Sequence, residues 1–270
     1  KLKEPMLKKV QNLLETSNIV KFSFLNCKFW HDAPIAFFES LPRWKLRKLS
    51  FVECKMDPLV WCCLSRFIQK ANLRSLVVVK LDSDDREIFK MLLVHARDWK
   101  VEKICFETPT TCSLNLCDIF KKIPSCLKIL KLHGFDLNLT SWGKSLRSIF
   151  NHSLEVLNMY ECYVKGYMEE LLSIVSLLNL RKITLPPLTA YGLQKVLHFL
   201  PKTQIVSLSL QLPLSPDEMM ETVRQMKNIH LRSLHVQNHF INDSLWEQCL
   251  PLLKSYNIKH LTFSRISYKN

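Results

Sequence analysis

Apolar residues along the chain fall into one recurring frame, apolar-x-x-apolar-x-apolar-x-x-Cys-x-apolar. It reads Ile19, Phe22, Phe24, Cys27, Phe29, then Leu46, Leu49, Phe51, Cys54, Met56, and again Leu154, Leu157, Met159, Cys162, Val164. The same spacing restarts at Leu73, Val101, Leu127, Leu180, Ile205, Leu231 and Ile258, so successive starts lie 27, 27, 28, 26, 27, 26, 25, 26 and 27 residues apart. A period this steady marks stacked supersecondary units. Within each copy the alternating apolar pair, such as Leu49 and Phe51, predicts a short strand with one face in the core and one face exposed. The segment that follows carries apolar residues at helical spacing, as in Leu59, Cys63, Phe67 or Met168, Leu171, Leu172, Val175, and predicts an outer helix packed back on the strands.

Each unit offers about five apolar side chains that it cannot bury alone, worth roughly 1.5 to 3 kcal/mol apiece once the next unit covers them. Neighbours therefore hold one another folded. The motif resembles the leucine-rich repeat, from about Val10 to the end of the chain. The resemblance implies an α/β solenoid, a horseshoe with a parallel concave sheet, outer helices and about ten repeats. We expect residues 1–270 to form one such domain, a piece of a longer protein.

Cysteine in the ninth position, at Cys27, Cys54 and Cys162, and the turn and helix around Phe240–Leu253 resemble the cysteine-containing class found in F-box ubiquitin-ligase substrate receptors. That resemblance implies recruitment of a protein partner and association with ubiquitin-ligase subunits. Ser244, Leu245, Cys249 and Leu253 also fit an elongin-binding box, but Leu245, Cys249 and Leu253 are what the repeat helix needs for its own core. Ribonuclease-inhibitor and innate-sensor arrays are similar, with somewhat longer repeats.

The frame lets the exposed face be read in columns. Residues between the paired core positions are small and mostly uncharged, such as Ser23, Ser50 and Thr184. One step further along lie Leu25, Val52, Val79, Glu107, His133, Tyr160, Pro186, Gln211, Gln237 and Ser264. Leu25, Val52 and Val79 form an apolar strip beside Glu53 and Lys80, continued by His133 and Tyr160, and are expected to contact a peptide or helix. A second column, directly after the first core position, reads Val20, Arg47, Arg74, Glu102, Lys128, Glu155, Arg181, Val206, Arg232 and Lys259. Arg47 and Arg74 complete the expected partner-binding set.

Charge changes this picture, because 38 basic against 24 acidic residues give a net +14 and a field that favours acidic partners. A nucleic-acid partner is the rival reading. It is the weaker one at sequence level, since the Lys and Arg are dispersed and no aromatic-glycine RNA-reading motif is present. Only 4 glycines against 12 prolines argue against a nucleotide-cradling loop. No Cys-x-x-Cys pair, HExxH or nucleophile elbow is present, so neither a metal nor another cofactor is expected, and the chain is read as a non-enzyme. No run approaches the roughly 18 apolar residues that span a bilayer. The ten cysteines are read as reduced thiols of an intracellular protein, in cytoplasm or nucleus.

Overall fold

A computed structural model of the 270-residue chain describes residues 4–29, 33–80, 86–138, 153–165, 171–172, 175–176, 178–211, 215–238 and 243–265. Thirteen strands occur in these regions: β1 Lys21–Leu25, β2 Lys28–Phe29, β3 Lys48–Val52, β4 Lys55–Met56, β5 Ser75–Val79, β6 Lys103–Asn115 and β7 Ile129–Asn138, followed by β8 Val156–Tyr160, β9 Tyr163–Lys165, β10 Lys182–Pro187, β11 Ser207–Gln211, β12 Ser233–Asn238 and β13 His260–Arg265. Ten of them line up as one parallel sheet in the order β1-β3-β5-β6-β7-β8-β10-β11-β12-β13. Every one of the ten begins two residues after a start of the sequence frame.

Register explains why the strands stack in this order. Phe22, Leu49, Leu76, Ile104, Leu130 and Leu157 stand opposite one another from strand to strand, and Ile183, Leu208, Leu234 and Leu261 continue the line. The inner members are at most 1% exposed, whereas Phe22 and Leu261 at the two ends are only partly buried. Burial by neighbouring repeats is the stabilising term, and the end repeats lack one neighbour.

Helices on the outer side close the core. Those at Pro58–Lys70, Ala190–Phe199 and Pro216–Gln225 begin where a short polar side chain and a proline or small residue favour a helix start, and a further one spans Asp243–Lys254. Asp57 accepts from the Leu59 N–H at 2.9 Å, Thr189 accepts from Gly192 N–H at 3.2 Å, and Ser215 with Glu218 forms a reciprocal capping box. In the first repeats the core is aromatic: Phe24 and Phe51 stack with centroids 5.4 Å apart, and Phe29, Phe37, Phe38 and Trp61 surround them edge-on.

Two repeated backbone joints tie each unit to the next. Just before each strand, one carbonyl accepts two N–H groups from the following repeat. Val20 O takes Arg47 and Lys48 at 2.8 and 3.0 Å, and Arg47 O takes Arg74 and Ser75 at 2.8 and 2.9 Å. The same joint recurs at every junction to Arg232 O, which takes Lys259 and His260. At the other strand end the chain turns through a left-handed residue, namely Asn26, Glu53, Lys80, Gly134 and Glu161, each with φ between +51° and +78°. The N–H groups of Asn26, Glu53 and Lys80 reach forward to the carbonyls of Val52, Val79 and Glu107 in the next repeat at 2.8 to 2.9 Å. Those hydrogen bonds offset the roughly 1 to 3 kcal/mol that a non-glycine residue spends there.

Candidate partner-binding face

The concave sheet presents the odd positions of each strand, and register places the predicted strip in a single line: Leu25, Val52, Val79, Glu107, His133, Tyr160. Leu25 is 62% exposed. Val52 and Val79 are half-buried, because each leans on the adjacent strand instead of standing clear of it. The other small-residue column also sinks deeper than sequence reasoning expects, with Ser50 and Thr184 buried.

The line breaks at β10. A register shift between Thr184 and Pro187 turns Pro186 inward, where it is buried, and Pro187 becomes the residue opposite Gln211. Proline lacks the N–H that would keep the ladder in step, which accounts for the slip. Gln211 then reaches past β10, accepting from the Glu161 N–H at 3.3 Å and donating to Gln237 at 3.1 Å.

Along the strand C-terminal ends runs a line of charged and polar side-chain contacts. Lys80 Nζ lies 2.6 Å from Glu53 Oε1, and this contact lowers the Glu53 carboxyl and raises the Lys80 ammonium from their ordinary values. His133 Nε2 is 2.8 Å from Glu161 Oε2 and its Nδ1 3.5 Å from Glu107 Oε2, while its ring meets Tyr160 edge-on at 5.0 Å. Burial and then the neighbouring Glu161 push the Tyr160 hydroxyl up. Glu53, Lys80 and Glu161 project here because they occupy the left-handed turn, a local constraint that the apolar frame does not reveal.

Arg47 and Arg74, of the second column, lie at the strand N-terminal edge. Five residues of extended chain separate Arg47 from Val52, roughly 16 Å. Arg74 Nη1 sits 2.6 Å from Glu102 Oε1, and Lys128 Nζ 3.4 Å from the same carboxylate. The sequence columns missed a further set on this side. Lys21, Lys48, Lys103 and Lys182 open their strands with side chains on the concave face. Strict alternation from Phe22 and Leu49 was the signal for them. Lys182 and, above all, burial lower the His235 imidazole.

Cysteine chemistry is structural. Cys54 Sγ donates to Phe24 O at 3.4 Å and Cys162 Sγ to Leu132 O at 3.4 Å, each reaching back into the preceding repeat. Burial pushes these thiols up to about 11 and about 12, so neither is a thiolate near neutral pH. Leu245, Cys249 and Leu253 are 5% exposed or less, held in the core of their own repeat. Among the described residues no group of three His, Cys, Asp or Glu is placed to hold a metal ion, and no helix is long and apolar enough to cross a membrane.

No family model and no curated protein matches the chain. Among solved structures it superposes on TLR13, from the crystal structure of the TLR13-ssRNA13 complex, with a TM-score of 0.51 and 17% identity. The match covers 94% of this chain and 37% of TLR13, so the chain spans little more than a third of that neighbour's length. The parallel ten-strand sheet, the recurring joints and this likeness together establish a leucine-rich-repeat fold.

Proposed function

We propose that the chain is a non-enzymatic binding module that recruits a protein segment across the strand C-terminal half of its concave face. The observation carrying this reading is the in-register strip of Leu25, Val52 and Val79, bordered by the Glu53–Lys80 pair and followed by His133 and Tyr160. An apolar strip with fixed charges along its border suits a peptide or helix that has one apolar face and a few polar anchors. The net +14 favours an acidic partner.

The finer reading is a substrate receptor of a ubiquitin ligase in an intracellular compartment. Its support is the 25-to-28-residue period together with Cys54 and Cys162, whose thiols bridge adjacent repeats. Burial of Leu245, Cys249 and Leu253 argues that ligase subunits would not dock through an elongin-type box. A second reading, a ligand-sensing array, draws support from the fold it shares with TLR13, whose solved complex contains ssRNA13.

The test replaces Val52 and Val79 together by Asp and compares capture of proteins from nuclease-treated lysate at low and high salt. Protein partners that survive high salt on the wild-type chain should fall at least about tenfold on V52D/V79D, with an unchanged circular dichroism spectrum. Equal capture by a folded double variant would sink the concave-strip reading.

A further inference from the structure

The strand N-terminal edge of the sheet holds a second surface of different character. Ten basic residues belong to two adjacent columns. Six are the Lys and Arg of the column just before the strands, and four are the lysines that open β1, β3, β6 and β10. Lys45 and Lys100, each three residues before its strand, extend this edge, and Lys45 Nζ donates at 2.7 Å to Asn18, the residue three before β1. Against these twelve cations the same positions carry two acids, Glu102 and Glu155.

Most of this charge is free. Among the described residues, only Arg74 and Lys128 of the twelve have a carboxylate within ion-pair distance, and both share Glu102. The nine gaps between ten strands, at the usual 4.7 to 4.9 Å spacing, make the edge roughly 43 Å long. In its middle lies a polar hollow of about 460 Å³ lined by Ser153, Glu155, Asn179, Arg181 and Gln204. At the opposite edge Lys80 is paired with Glu53, and His133 lies between the carboxylates of Glu107 and Glu161.

We propose that this edge is a track for the phosphodiester backbone of a nucleic-acid strand, separate from the apolar strip and read without base recognition. A line made predominantly of cations, twelve against two acids, matches a polymer whose charge is linear and of one sign, whereas a folded acidic protein presents patches of mixed sign and needs apolar anchors. The track offers few apolar contacts beyond Val20, Ile129, Val156 and Val206, and no Phe, Tyr or Trp for a base to stack on occupies the three positions that form it. Affinity therefore comes from counterion release.

The experiment is fluorescence anisotropy of a labelled 20-nucleotide oligouridylate against the 270-residue chain over a range of salt concentrations. With about six phosphates engaged, the logarithm of affinity should fall with that of salt at a slope of about −4. Reversing Arg47, Arg181 and Arg232 to Glu should cost at least about 100-fold and reduce the slope by about 2. Reversing Lys9, Arg66 and Lys254, exposed on the helical side, makes the same change in net charge and should cost less than about threefold. V52D/V79D should bind the oligonucleotide like the wild type, which separates this track from the strip. Unchanged binding by the folded Arg47/Arg181/Arg232 variant, or equal losses from the helical-side variant, would overturn the proposal. So would competition by poly-glutamate at the same charge concentration as strong as that by unlabelled RNA, which would assign the edge to acidic polypeptides.

Discussion

The two edges of one concave sheet are built on the same ten strands and differ in what their side chains do. At the strand C-terminal edge, backbone geometry is the demanding element: left-handed residues, buried thiols reaching into the previous repeat, and local side-chain contacts such as Glu53–Lys80 and His133–Glu161. At the strand N-terminal edge, one carbonyl with two N–H partners completes the joint, and the side chains take no part in it. Residue-specific constraints on the fold are thus concentrated at one edge and net charge at the other. Substitutions at the left-handed turns and buried thiols of the first edge should act on folding, and substitutions of the cations at the second on nucleic-acid binding.

The largest effect at the C-terminal edge is expected from Gly134→Ala. Gly134 has φ +78°, and a Cβ placed there would stand 2.4 Å from the Thr108 carbonyl oxygen. The variant should lose roughly 2 to 4 kcal/mol in urea unfolding followed by circular dichroism. A loss no larger than that of an exposed substitution would show that the edge tolerates strain. Cys162→Ser comes next, at about 1 to 2 kcal/mol, because a more strongly hydrated hydroxyl replaces a buried weak donor. In the folded wild type, Cys54 and Cys162 should resist thiol-reactive reagents at pH 8, since folded-state burial keeps both protonated until pH nears 11 and 12. Rapid labelling of either would contradict the burial that defines this edge.

The smallest effects sharpen the contrast directly. Glu102→Gln removes one of the two acids of the basic edge and should raise oligouridylate affinity about three- to fivefold without moving the melting temperature. Glu53→Gln, in a pair already neutral, should change that affinity by less than about twofold. Equal responses to the two substitutions would mean that the edges are not electrically distinct.

Much of this was legible before any coordinates. The apolar frame located all ten main strands because Leu49, Leu76, Ile104 and their equivalents must be buried in every copy, and burial is what a hydrophobic pattern records. It also aligned Leu25, Val52 and Val79 on one line. What escaped it depends on backbone and on neighbours in space. The extra strands β2, β4 and β9 follow from pairing beyond the left-handed turn, and β10 slips at Pro186. Val52 and Val79 are half-buried because residues at the same position in adjacent repeats shield one another, which a single repeat's pattern does not show. Arg47 and Arg74 separated from the strip because sequence columns give a face but not the distance between its two edges.

The two-donor joint before each strand has a mechanical consequence. Each of its hydrogen bonds tolerates a small change of angle, and the same joint recurs at all nine junctions between the ten strands, from Val20 to Arg232. Minor rotations add in the same sense along the array, so the curvature of the groove can tighten or relax like a coil, with no single bond broken and the largest travel at the two ends.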